Sequence, residues 1–432
     1  MNRFLLLVLS LALPASAFPD EWPRFRGPNG TGIASGKPIP LEWSATENVA
    51  WKTELPGPGS SSPIVWGDRV YVTCYTGYGD GSESGIEELR RHLVAINRET
   101  GAILWTTATG PDPLVEDPYE GYINEHGYAS NTPATDGERI YCFHGKAGVY
   151  AFDWDGEQVW HAPTGDLHSQ KRWGSASSVI LHEDTVIVKA GDEARAILAF
   201  DADTGEEKWR AEGSVLEQTY GTPALHRVDE ERTDLIVAGT GEVWGVNPAT
   251  GKLRWFSSMG LTGNISSSPV IADDRVYLFG GFPRTMGLAM QLGNKGDASG
   301  QALLWENAEV AAYMTAPILH EGHLYFIRDN GIACCADPVK GELLYEERLP
   351  FDTSRLGKGQ PFYASPVLAN GHLVIPSRRA GTFVIAARPE FEVVAINYLD
   401  GDDGRFQGTP AVSDGDLFLR SETALYRISK ME

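Results

Sequence analysis

Some residues of this chain have the types and spacing that chemistry needs. His320-x-x-His323 has a spacing used by metal ligands, and Asp400-Gly-Asp-Asp-Gly404 is acidic enough to attract a hard cation. Glu125, Asn131 and Asp136 cluster along one short segment, and Cys334-Cys335 places two thiols side by side. None matches a known catalytic pattern. His323 occupies the same turn position as His372 further on, which reads as a repeated turn. The acidic pentapeptide departs from the alternating ligands of a calcium loop and reads as a solvated turn. Glu125, Asn131 and Asp136 form a segment without a motif. There is no H-E-x-x-H, G-x-S-x-G or phosphate loop. No catalytic or metal-binding residue is therefore assigned.

The elements that must position any site come from an internal repeat. Ala95-Ile-Asn-Arg-Glu-Thr-Gly-Ala-Ile-Leu-Trp105 recurs with variation at 151–160, 199–209, 245–255 and 335–345, with a short echo at 300–305. In each copy Asp or Asn ends one strand and can bond its own turn. A Gly follows where positive φ is needed, and an aromatic lies on the next strand. Before each such hairpin lies a second one, opened by a small residue and Pro. The openings are Ser62-Pro63, Thr132-Pro133, Thr222-Pro223, Ser268-Pro269, Ala316-Pro317, Ser365-Pro366 and Thr409-Pro410, with Ser177-Ser178 as the degenerate member. Eight openings predict eight blades of about 48 residues, in the ~40–50 range of propeller repeats.

The expected fold is all-β: an eight-bladed β-propeller of four-stranded antiparallel blades. The last blade supplies only three strands of its own, at 408–412, 416–419 and 424–428. The strand at 49–55, carrying Trp51, is expected to complete it and close the ring, which removes an exposed edge. Residues 48–430 then form the propeller and 18–47 an extended N-terminal segment. Residues 1–17 read as a secretory signal, with Arg3, an apolar run from Phe4 to Leu13 and a cut near Ala17-Phe18. A soluble periplasmic or secreted protein without a transmembrane segment is expected, and no Cys follows the cut to carry a lipid.

The Asp/Asn-x-x-Thr-Gly-x-x-x-Trp repeat resembles that of the pyrroloquinoline-quinone (PQQ)-like propellers, a superfamily of quinoprotein alcohol dehydrogenases and the outer-membrane assembly lipoprotein BamB. Trp22-Pro-Arg-Phe-Arg-Gly-Pro-Asn-Gly-Thr-Gly32 and Phe391-Glu-Val-Val-Ala-Ile-Asn397 resemble exported planctomycete-type PQQ-like proteins most closely. For the quinoproteins the resemblance implies PQQ held by stacking, Ca²⁺ bound by Glu and Asn, and an Asp base. This constellation cannot be matched here residue by residue. In some of those dehydrogenases adjacent cysteines close a ring disulfide beside PQQ. Here Cys334 and Cys335 lie at the end of a third strand, where alternation reads as core filling. Cys74 and Cys142 occupy equivalent faces of adjacent blades, so no pairing is expected.

Charge narrows the partners. Lys and Arg total 36 against 58 Asp and Glu, a net charge of −22, which disfavours nucleic acid and anionic membrane. The loops entering the innermost strands carry Tyr128, Trp173, Tyr220, Tyr313, Tyr363 and Phe406. Those between second and third strands carry Lys146, Lys189, Arg284, Arg328, Arg378, Arg379 and Arg420. Both sets face one mouth. Tyr128, Trp173, Tyr220, Tyr313, Arg328, Tyr363 and Arg378 are thus the candidate binding residues, for a flat anionic ligand or a peptide. The reading is a monomeric, non-catalytic scaffold with a protein or peptide partner in the cell envelope. The rival is a PQQ- and Ca²⁺-dependent oxidoreductase; a BamB-like assembly factor is a third reading, weakened by the missing lipid-anchor Cys.

Overall fold

The computed structural model describes residues 21–28, 30–111, 115–169, 171–357 and 359–431, so the expected leader and its cleavage point lie outside the described residues. Eight sheets, each built on four antiparallel strands, form an eight-bladed β-propeller. Seven blades are continuous in sequence, at 64–109, 134–162, 180–212, 224–258, 270–307, 318–348 and 367–397. The eighth combines Ala411–Ser413, Asp416–Arg420 and Ala424–Ile428 with the outer strand Val49–Glu54, which pairs antiparallel with Ala424–Ile428. The ring closes through the N-terminal strand, as the repeat count requires.

Two repeated contacts explain the repeat's composition. At the rim, an outer-strand Trp leans over the turn of the next blade. Trp51 donates its indole N–H to the carbonyl of Arg98 (2.8 Å), Trp105 to Trp154 (2.8 Å), Trp160 to Ala202 (2.9 Å), Trp209 to Pro248 (2.9 Å) and Trp305 to Pro338 (2.9 Å). The turn Gly lies under the ring. A Cβ on Gly101, Gly156 or Gly205 would stand 2.7 Å from the indole, and each has positive φ. The turn Gly therefore serves both the turn and the blade-to-blade seal.

Around the axis, the small-residue openings form a belt. The amide of Ser62 donates to Thr132 Oγ1 (2.9 Å), Thr132 to Ser178 Oγ (3.0 Å), Ser178 to Thr222 Oγ1 (2.9 Å) and Thr222 to Ser268 Oγ (2.9 Å). It resumes with Ala316 donating to Ser365 Oγ (3.0 Å) and Ser365 to Thr409 Oγ1 (3.1 Å). Ala316 has no hydroxyl to offer Ser268, so the belt is interrupted there.

Trp255 departs from the repeat. In blade five a longer link precedes the outer strand, and its Gly296–Asp297 pairs parallel with the outer strand of blade four. Trp255 instead lies fully buried over Gly245 of its own blade, with its indole N–H donating to Asp234 Oδ2 (3.0 Å). Arg232 and Arg254 also pair with Asp234, each at 2.6 Å. That carboxyl is held below its ordinary range by these hydrogen bonds, which outweigh its burial.

The N-terminal segment crosses the face of first-to-second-strand turns. Glu21 accepts from the Gly67 amide, Ile33–Ala34 pairs parallel with blade seven, and Lys37 meets Asp414. Between these contacts Arg26, 1% exposed, enters the axis. It donates to the carbonyls of Thr31 (2.8 Å), Pro317 (2.8 Å) and Pro366 (3.4 Å). Arg26 thereby fastens the segment across the bottom of the ring.

Candidate functional site

The mouth on the opposite face opens into a funnel of about 170 Å³. Its lower wall is the hydroxyl belt: Ser62, Thr132, Ser178, Thr222, Ser268, Ser365 and Thr409. Phe25, next to the axial Arg26, also lines it. Higher up stand Trp173, Tyr220, Tyr313 and Tyr363, with Glu125, His126, Asn264 and Gln407 between them. The N-terminal segment thus makes a cup of what the ring alone would leave as a channel.

Each aromatic is held by the loop chemistry around it. Trp173 stacks on Tyr122 with centroids 4.1 Å apart and planes 15° apart. Its carbonyl bonds His126 Nε2, whose Nδ1 reaches Ser130 Oγ. Burial pushes the His126 pKa down, which favours the neutral ring as a fixed strut. Tyr220 donates its hydroxyl to Asp192 Oδ2 (3.1 Å), and Tyr313 accepts from Asn264 Nδ2 (3.2 Å). The Arg378 guanidinium lies 4.4 Å from the Tyr363 ring centroid and pairs with Glu125 at 3.0 Å.

Four of the seven candidate residues, Trp173, Tyr220, Tyr313 and Tyr363, come together in the funnel wall. Arg378 lies behind it, only 4% exposed. The other two lie elsewhere. Tyr128 is buried among Tyr75, Tyr78 and Tyr119 and donates to the Asp117 carbonyl (2.7 Å). Arg328 pairs with Glu346 at 3.0 Å and donates to the Glu309 carbonyl (2.7 Å). Phe406 packs on Tyr426.

Several of the expected crown of cations are likewise engaged elsewhere. Lys146 pairs with Asp117 at 3.0 Å, Arg379 donates to the Asp403 carbonyl (2.6 Å), and Arg420 is buried with a bond to Ser61. Among the described residues no Lys or Arg lines the funnel. Sequence reasoning missed Phe25, Glu125 and Asn264 as wall residues. The only signal was the Trp-Pro-Arg-Phe-Arg-Gly segment, whose course under the ring is a tertiary fact.

Beside the funnel, where blades one, two and three meet, lies a small polar chamber lined by Arg91, Glu116, Asp117, Lys146, Asp192 and Glu193. Arg91 and Glu116 form a buried two-pronged pair at 2.7 and 2.8 Å. Glu193 is pushed up to about 7 by burial and then by Asp192, while burial brings the Lys189 amine down to about 7. Among the described residues Lys189 Nζ has no hydrogen-bond partner.

The oxygen donors suggested for a cation do not converge. Glu125 faces the funnel, Asn131 donates to Ser175 Oγ and the Ser177 carbonyl, and Asp136 caps a turn and accepts from Tyr141. Glu125 is the one carboxylate among the described lining residues, and Arg378 and Arg405 both approach it. These residues do not fit a Ca²⁺–PQQ pair. Cys334 and Cys335 are free thiols packed in different layers, one against Phe279 and Phe326, the other against Tyr325 and Phe383. Cys74 and Cys142 are also free and lie in separate layers. His320 and His323 face each other across a turn. Asp402 accepts from Tyr426 and Gly404, and Asp400 pairs with Arg355.

Known proteins share this architecture. BamB from Moraxella catarrhalis superposes with a TM-score of 0.59 at 12% identity, covering 88% of this chain and 98% of that one. A europium-containing methanol dehydrogenase superposes with a TM-score of 0.59 at 12% identity, covering 93% and 89%. At that identity both show the fold alone. The tetrathionate hydrolase of Acidianus ambivalens is 25% identical over 187 residues, which is 40% of this chain and 33% of that protein, so the match spans about a third of its length. Residues 89–345, more than half the chain, match the family described as outer membrane protein assembly factor BamB, and the chain belongs to that PQQ-like propeller family.

Proposed function

We propose that this protein is an exported binding propeller whose funnel receives a peptide segment of a partner in the cell envelope. The observation that carries the reading is the cup itself, an aromatic and hydroxyl-lined cavity. Ring faces interleaved with hydroxyls suit the mixed apolar and hydrogen-bonding surface of a peptide. Family membership supports an envelope role, and the leader-like first 17 residues support export. Among the described residues no helix is long and apolar enough to cross a membrane.

The test is binding of a peptide library to the purified mature chain, followed by calorimetry on Tyr313→Ala and Tyr363→Ala. Selected peptides should bind with micromolar Kd, and both variants should weaken binding at least tenfold while melting as the parent does. The same protein is heated with PQQ and Ca²⁺ in excess. A melting rise of several degrees with dye-linked alcohol oxidation, and no peptide binding, would overturn the proposal in favour of a quinoprotein oxidoreductase.

A further inference from the structure

We infer that the guest group recognised in the funnel is a cation, an ammonium or a guanidinium, held by ring faces and the Glu125 carboxylate. The inference rests on the reading of the funnel as a binding site and names the chemistry it selects. It reverses what the loop sequences suggest, because the cations counted at the mouth are not in the cavity. Arg378 is 4% exposed, Arg420 1% and Lys189 2%, and Arg284, though exposed, is not part of the cavity lining. An entering anion would meet no available positive group on the described lining. It would instead face the negative π-surfaces of the wall rings and a carboxylate whose side chain is 37% exposed.

Second-layer charge has the same sign. Near the Tyr363 side of the funnel two guanidinium groups, Arg378 and Arg405, stand against three carboxylates, Glu125, Glu422 and Asp329. On the far side Tyr220 donates its hydroxyl to Asp192, which leaves its oxygen lone pairs and ring richer in negative charge. The whole chain carries −22, so diffusing cations are drawn in and anions turned away. The protein already makes this contact internally: Arg378 lies over Tyr363 and pairs with Glu125. A cavity of about 170 Å³ suits one side-chain-sized group.

The cation can be a free organic ion or a Lys or Arg side chain of a partner segment, and the test separates these sources. Titrate the mature protein at low salt, by calorimetry and tryptophan fluorescence, with tetramethylammonium, N-acetylarginine methylamide, its uncharged citrulline counterpart and acetate. The arginine compound should bind at least tenfold tighter than the citrulline one, and acetate should not bind. Glu125→Gln should weaken the cation about tenfold and leave citrulline unchanged. Because that change also unpairs Arg378, Tyr313→Leu is the second variant and should weaken the cation several-fold. Binding that strengthens from the capped residue to an Arg-containing decapeptide identifies a partner segment; equal binding of tetramethylammonium identifies a free cation. If uncharged peptides bind as well as cationic ones, this inference falls and the peptide site stands. If no probe binds, both fall.

Discussion

Glu193 offers a direct measurement of what the polar chamber contributes. It sits in the short turn Gly191–Ala194 of blade three, 3% exposed. Burial and then Asp192 raise its carboxyl from 4.5 to about 7, against the opposing pull of Ser175 and Lys146. Between pH 4.5 and 7 the native state therefore holds a proton that the unfolded chain has released. Stability from this group is complete below pH 4.5 and is lost as pH rises through about 7. A shift of that size corresponds to about 3 kcal/mol. Glu193→Gln keeps the shape without the titration. Urea unfolding followed by tryptophan fluorescence should show the variant matching the parent at pH 4.5 and exceeding it by about 3 kcal/mol at pH 8. Lys189 works in the other direction, because its amine is lowered from 10.5 to about 7 by burial. Its penalty is full below pH 7 and fades as pH rises toward 10.5, so Lys189→Met should gain most in acid. The parent should therefore have a stability minimum near neutrality, which each substitution removes on one side only. A parent-to-Gln difference that does not change between pH 4.5 and 8 would refute the argument.

Other substitutions probe the frame. Trp209→Ala removes both a rim contact and the indole bond to Pro248, and should cost about 3–5 kcal/mol in urea unfolding without altering funnel binding. Arg26→Met leaves the carbonyls of Thr31, Pro317 and Pro366 without their donor. It should lower stability by about 2–4 kcal/mol and make the N-terminal segment susceptible to limited proteolysis. Ala316→Ser supplies the hydroxyl missing from the belt and should raise stability by about 0.5–1.5 kcal/mol, read as a higher urea midpoint. A loss there would mean that the site beside Arg26 has no room for the oxygen.

Legibility followed the range of the interaction. A turn such as Asn97 to Gly101 is set by its own residues: Asn97 Oδ1 accepts from the amides of Glu99 and Thr100, and Gly101 takes φ 73°. Every copy of that pattern could therefore be read locally. Trp255 shows the limit, since its environment depends on the longer link after Gln291 in the neighbouring blade. The wall aromatics Trp173, Tyr220, Tyr313 and Tyr363 could be named from their place before each opening. Tyr128 has the same place, yet the tyrosine cluster of the blade-one loops takes it into the core.

The amino-acid sequence alone determined the number of blades, the closing strand and the turn and belt positions. These depend on periods and short-range bonds that each repeat carries for itself. The tertiary structure decided what the funnel presents. Whether a loop cation faces the cavity or an internal carboxylate depends on partners far away in sequence: Arg378 finds Glu125 253 residues away, and Arg26 reaches Pro317 at a separation of 291. Buried charge must be paired or hydrogen-bonded, so folding withdrew those cations from the surface. It left a cup of rings, hydroxyls and one carboxylate.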